Sequence, residues 1–222
     1  MRELRFALRQ TIPIFFTYLF IGIAFGILMS DAGYGLLLTV ASAVFIYAGS
    51  MQLVMVPMMA GSTPLLTVML TAFMVQARHL FYGISYIARF RRMGRLCPYM
   101  VFSLTDETYS VFCSLPEGES DGLLFRIALY DHLYWIAGSV LGAVLGTALP
   151  LDFTGIDFSM TALFVVICVE KGLDRKSRPA LALGVGISML MLFLLGPDRF
   201  LAPALAATAA LLVLTRPVKG GG

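Results

Sequence analysis

The chain is patterned in long apolar blocks separated by short polar linkers. Eight blocks stand out, at roughly 12–30, 35–60, 64–88, 98–115, 125–149, 157–172, 179–196 and 200–215. A helix rises about 1.5 Å per residue, so about 20 apolar residues cross a hydrocarbon layer of about 30 Å. Most of the blocks approach or exceed that length, and 157–172 sits near its lower limit. The first, second, seventh and eighth carry no charged residue. The pattern predicts an all-α, polytopic integral membrane protein, a single transmembrane domain over 1–222 with about six to eight transmembrane segments.

Three blocks hold polar islands where a bilayer interior is expected. The first is Tyr47-Ala48-Gly49-Ser50-Met51-Gln52. A Gly-Ser pair in mid-segment is a place for a helix to break. A half-helix starting near Ser50 would present free N–H groups and a positive dipole end, which suits a carboxylate. Gln52 and Tyr47 would add side-chain hydrogen bonds. Gly49 and Ser50 could equally serve only close helix packing.

The second island is Gln76-Ala77-Arg78-His79. A guanidinium at mid-bilayer costs at least about 2.5 kcal/mol, so it must face a partner, water or the bundle interior. Arg78 is a candidate bidentate ligand for a substrate carboxylate or a structural counter-ion for Asp106 or Glu107. His79 could carry protons or simply bond a backbone carbonyl.

The third island is Thr105-Asp106-Glu107-Thr108. Adjacent helical residues point about 100° apart, so the two carboxylates cannot face one spot. One would meet Arg78 while the other faces a water path and titrates. Pro98 and Pro116 bracket this segment, which would make both charges central. The substrate-site candidates are thus Tyr47, Gly49, Ser50, Gln52, Gln76 and Arg78. The candidates for proton coupling or a charge pair are His79, Asp106 and Glu107. Asp131, His132, Tyr134 and Trp135, near the start of the fifth block, read as an interfacial belt.

The linkers carry an orientation signal. Basic sites lie at Arg2, Arg5 and Arg9, at Arg89, Arg91, Arg92 and Arg95, at Lys171, Arg175, Lys176 and Arg178, and at Arg216 and Lys219. Basic loops favour the cytoplasm, yet eight plain crossings would put Arg89–Arg95 outside. If 35–60 and 157–172 are re-entrant or broken helices, all four basic sites fall inside and the acidic linker Glu117–Asp121 falls outside. Two glycine motifs, Gly22-x-x-x-Gly26 and Gly138-x-x-x-Gly142-x-x-x-Gly146, suggest either an inverted repeat, about 10–90 and 125–215, or ordinary packing seams.

Composition agrees with the membrane class. Hydrophobic residues make up 59% and charged residues 13%, against about 25% charged in soluble domains, and mean hydropathy is +0.88. A water-facing surface cannot be covered from this pool. Cys97, Cys113 and Cys168 have neither metal nor redox spacing and read as free thiols. Met51, Met55, Met58 and Met59 would suit an adaptable apolar pocket or lipid-facing packing. No nucleotide loop, metal spacing or nucleophile–base pair appears, so neither an enzyme nor a cofactor is expected.

The islands resemble the AzlC family of branched-chain amino acid permeases. The matching residues are Pro13 with Gly22 and Gly26, Tyr47-Ala48-Gly49-Ser50-x-Gln52, Ala77-Arg78-His79-x-x-Tyr82-Gly83-x-Ser85, and Leu104-Thr105-Asp106-Glu107. Later matches are Tyr134-Trp135 before the Gly138 seam and Gly155-x-Asp157-Phe158. The family usually has Asn two residues before the Arg; here it is Gln76, a longer amide that alters the pocket. The resemblance implies proton-coupled export of Val, Leu, Ile and Met from a bacterial cytoplasmic (inner) membrane. It also implies a small AzlD-type membrane subunit as partner. The competing readings are a channel for a small polar solute and an assembly subunit with no transport site of its own.

Overall fold

The computed structural model describes residues 2–116, 118–148, 165, 168–169, 172–173, 175, 178–196 and 200–215. Among them the structure is all-α. The helices are α1 (Arg2–Asp31), α2 (Leu36–Phe45), α3 (Gly49–Ala60), α4 (Leu65–Arg92), α5 (Cys97–Phe102), α6 (Asp106–Ser114), α7 (Asp121–Ala148), α8 (Arg178–Leu195) and α9 (Leu201–Thr215). Three are long and apolar enough to cross a membrane, namely α1, α7 and α8. The two arms of the bent α4, Leu65–Ala77 and Tyr82–Arg92, are together long and apolar enough to make a fourth. Leu37, Phe45 and Phe193 are 84%, 78% and 89% exposed. Large apolar side chains in such positions need lipid around them.

The chain forms two compact units. The first comprises Met1–Val68 and Val75–Ile156; the second comprises Met69–Met74 and Asp157–Gly222. In the second unit α8 packs on α9, where a Cβ on Gly184 would lie 3.7 Å from the Thr208 side chain.

The first unit is built on α1 and α7. The two glycine motifs face one another across this pair. A Cβ on Gly22 would lie 3.0 Å from the Gly138 backbone, and one on Gly138 would lie 2.6 Å from the Tyr18 carbonyl. A Cβ on Gly26 would run into the Ser139 carbonyl and Ala143 nitrogen, and one on Gly142 into the Ile23 backbone. The seam continues to Gly146 against Ser30. Small residues let the backbones meet where apolar burial gives no drive inside lipid.

Contacts pair Glu3 with Arg126, Thr11 with Tyr134, and Ile27 and Ser30 with Gly146, so α1 and α7 run parallel. An inverted repeat with the two motifs in equivalent places would make them antiparallel. The motifs are a packing seam with a parallel relation.

One end of this unit is tied by charge. Arg126 donates to Glu3 at 2.8 Å, Arg89 meets Asp121 at 3.0 Å and also donates to the Glu119 carbonyl, and Ser120 meets Glu3 at 3.3 Å. These pairs are half-exposed and worth about 0–1 kcal/mol each. Their value here is positional, because they put the start of α1, the end of α4 and the start of α7 at one end. An even number of crossings must then separate the N-terminus from Arg89. Crossings by α1 and α4, with α2–α3 turning back at its mid-segment break, would meet that count.

The acidic linker is a correction. It was expected opposite the arginines, but Glu119 and Asp121 lie beside Arg89. The cause is the segment between them. It was expected as one helix over 98–115 but breaks at Ser103–Thr105 into α5 and α6. With 6 and 9 residues, these rise about 9 and 14 Å, too little to cross. Segment 157–172 and its expected re-entry lie, but for four residues, outside the described ones, as do Gly155, Asp157 and Phe158.

Two measurements check this fold. Gly142→Val should cost about 3 kcal/mol or more, seen as early thermal unfolding in detergent, because backbone on the facing helix cannot yield as a side chain can. In a background without Cys97, Cys113 and Cys168, Gly94→Cys and Ser120→Cys should both resist an impermeant maleimide in intact cells. Both should react in inside-out vesicles. Labelling of Ser120→Cys alone from outside would sink the shared end.

Candidate functional site

Each polar island coincides with an interruption of a helix. At the first, α2 stops at Phe45 and α3 starts at Gly49. Tyr47 (φ +43°) and Gly49 (φ +33°) make the reversal in the left-handed region. A non-glycine residue there costs about 1–2 kcal/mol. Tyr47 is buried and stacks on His132, ring centroids 4.2 Å apart.

Gln52 stitches the break. Its Oε1 accepts the Ala48 N–H at 2.9 Å and its Nε2 donates to Ser42 at 2.8 Å. The amide is fully buried and already spent on these two bonds, so Gln52 holds the half-helices together. His132 adds a second stitch. Its Nε2 donates to the Ala43 carbonyl at 3.3 Å, one of the last carbonyls of α2, which no helical N–H can reach. In the neutral ring Nδ1 is then left to accept from Tyr99, 3.2 Å away.

At the second island the helix does not stop. It bends by 77° between Leu65–Ala77 and Tyr82–Arg92. Arg78 and His79 sit on that bend. The side chain of Arg78 lies outside the described residues, and so does its expected pairing with Asp106 or Glu107. His79 Nδ1 is 3.3 Å from the Gln76 carbonyl, and the ring meets Tyr82 edge-on at 5.7 Å. Tyr82 in turn stacks on Tyr109 of α6 at 4.3 Å. The Gln76 side-chain oxygen is buried and has no partner among the described residues.

At the third island Thr105 is the N-cap of α6, its hydroxyl accepting the Thr108 N–H. Asp106 and Glu107 are the first two residues of that helix, not central ones as expected. There the positive end of the helix dipole favours both carboxylates. Glu107 accepts from Tyr18 of α1 at 2.8 Å, and Tyr18 also meets Thr105 at 2.7 Å. Phe102, just before the break, packs against Tyr47 at 6.0 Å and His132 at 5.6 Å. The first and third interruptions thus converge on Tyr18 and His132, and the second reaches α6 through Tyr82.

The family described as AzlC protein matches residues 13–149. The chain belongs to the AzlC family. The matched stretch contains all three interruptions and the glycine seam. Branched-chain amino acid transport protein AzlC of Bacillus subtilis is 36% identical over 219 residues, 97% of this chain and 86% of that protein. An uncharacterized membrane protein of Haemophilus influenzae is 36% identical over 199 residues, 88% and 82% of the two chains. Inner membrane protein YgaZ of Escherichia coli is 28% identical over 188 residues, 80% and 77% of the two. No solved structure matches.

In this AzlC chain four residues of α7 and α1 were misjudged or missed. Asp131, His132 and Trp135 are buried inside the first unit and form no interfacial belt. Asp131 accepts from Thr108 at 2.9 Å through Oδ2, while Oδ1 and the Trp135 N–H have no partner among the described residues. Tyr18, unmarked in an uncharged block, is the hydroxyl joining α1 to α6. The misreading of Asp131 came from starting its helix at 125. The helix starts at Asp121, one turn earlier, which puts Asp131 about 15 Å along it. A usable signal was present, since Asp131, Trp135, Gly138 and Gly142 recur at spacings of three and four on the seam face.

The stitch is testable. Gln52→Leu leaves the Ala48 N–H and the Ser42 hydroxyl unpaired in a buried place. It should cost about 1–3 kcal/mol, measured as a lower unfolding midpoint in detergent. Gly49→Ala should add a smaller loss of about 1–2 kcal/mol, because its φ is positive although there is room for a methyl group.

Proposed function

We propose that this chain is the large subunit of a secondary transporter exporting branched-chain and similar apolar amino acids, Val, Leu, Ile and Met, out of the bacterial cytoplasm. The proton gradient drives it, and a small AzlD-type membrane subunit works with it in the inner membrane. Support for the substrate class comes from the Bacillus subtilis relative, whose name specifies branched-chain amino acid transport.

The observation that carries the reading within this chain is the start of α3. Among the described residues nothing lies within 4 Å of a Cβ placed on Gly49, so there is room beside the first turn of this 12-residue helix. A carboxylate there would meet the positive end of the dipole. Tyr47 and Ser50 flank Gly49 in the chain, Gln52 is the brace, and the further candidates are Gln76 and, as the fixed counter-charge, Arg78. Asp106 and Glu107 at the start of α6 suit an ammonium group or a proton, and His79, which reaches α6 through Tyr82 and Tyr109, is the further candidate in the coupling path. Met51 and Met55 offer adaptable apolar surface for a branched side chain.

The test is counterflow of labelled leucine into liposomes holding the purified full chain with and without the partner subunit. Saturable exchange, competed by valine, isoleucine and methionine, is expected. Arg78→Gln should lower it about 30-fold, the equivalent of about 2 kcal/mol for one lost charge partner. Leucine flux without counterflow would make the protein a pore, and no flux in either preparation would make it an assembly subunit.

A further inference from the structure

Asp131 is the group the reading above does not use. It is fully buried at about mid-helix in α7, and one of its oxygens has no partner among the described residues. The groups facing it are Glu107 from α6, Tyr18 from α1, Tyr47 from the first interruption and Tyr99 from α5, with His132 next to it on α7. None of these faces it with a positive charge in the neutral form of His132, and no ion pair to Asp131 occurs among the described residues. A permanently ionised carboxylate in that setting would be expensive, whereas a carboxyl that takes and gives up a proton is tolerable.

A path to it is in place. Glu107 is partly exposed and accepts from the Tyr18 hydroxyl at 2.8 Å. Tyr18 is 2.7 Å from the Thr105 hydroxyl, which is 3.2 Å from the Thr108 hydroxyl. Thr108 donates to Asp131 Oδ2 at 2.9 Å. Three hydroxyls therefore join two carboxylates without a gap, and each can donate and accept. The chain is held rigidly. Thr105 is fixed by its capping bond to the Thr108 N–H, and Tyr18 is wedged edge-on against Trp135 at 5.5 Å.

We propose that Glu107, Tyr18, Thr105, Thr108 and Asp131 form a proton relay, with Glu107 as the entry and Asp131 as the buried store. The proposal rests on the proton-coupled reading above and adds its internal terminus. A proton arriving from water protonates Glu107. The Glu107 proton passes to the Tyr18 oxygen as the Tyr18 proton passes to Thr105, that of Thr105 to Thr108, and that of Thr108 to Asp131. Each proton moves one place. The net result is ionised Glu107, neutral Asp131 and three intact hydroxyls, which then rotate to reset. Asp131 thereby exchanges protons with water without any opening of the seam between α1 and α7.

The test is infrared difference spectroscopy after a pH jump on the full chain in liposomes. An acid jump on the wild type should raise a carboxylic acid carbonyl band that Asp131→Asn abolishes. Thr108→Val should slow its rise about 100-fold, the scale of losing a positioned proton donor, and Thr108→Ser should restore it. Tyr18→Phe should slow it similarly, which keeps the test decisive if Thr108→Val does not fold. Absence of an Asp131-dependent band overturns the proposal, and so does a wild-type rise in both Thr108→Val and Tyr18→Phe. Leucine counterflow is read separately. Its absence with the band and its slowing intact would refute the transport reading and leave the relay standing.

Discussion

Everything in the first unit depends on the backbone contact between α1 and α7. Inside a bilayer there is no water to expel, so two helices stay together through close van der Waals fit and polar contacts. Gly22 and Gly26 meet Gly138 and Gly142 so closely that no side chain fits between them. That contact sets both register and direction. It places Tyr18 opposite Trp135, which lies one turn beyond Asp131. It leaves the half-helices to be arranged around a fixed central pair.

The half-helices pose a different problem. A helix that stops in mid-membrane strands carbonyls and N–H groups that lipid cannot satisfy. Here three of the stranded ends have an identifiable partner. Gln52 answers the start of α3, His132 answers the end of α2, and Thr105 answers the start of α6. The polar residues of the islands thus serve first as caps for broken backbone. The groups left over, Glu107, Asp131 and the Trp135 N–H among them, are the ones available for chemistry. This division explains why polar residues in this chain occur as short runs and not singly, because one interruption needs several partners.

Much of this was legible in the chain itself. Long uncharged blocks required a membrane, since their apolar side chains have no other stable environment, and the Gly-Ser pair at 49–50 marked a break that the structure contains. Arg89–Arg95 was rightly grouped with the basic N-terminus, because charge asymmetry survives without knowledge of the fold. The paired glycines announced a close helix approach. Their direction was left open, since a glycine seam is compatible with parallel and antiparallel helices alike.

What only the tertiary structure decided is which residues share a place. Hydropathy averages over a block, so it could not see that 98–115 breaks at Ser103–Thr105 or that 64–88 bends by 77° at Arg78. It placed the acidic linker on the wrong side because each break changes the parity of every later crossing. It left Asp131 at a membrane surface because a helix start misplaced by four residues shifts depth by about 6 Å. The chain determined by itself that polar groups must lie within lipid, a matter of solvation cost and local spacing. The bonds from Thr105 to Tyr18 and from Thr108 to Asp131 span 87 and 23 residues, and only packing brings such residues within hydrogen-bond reach.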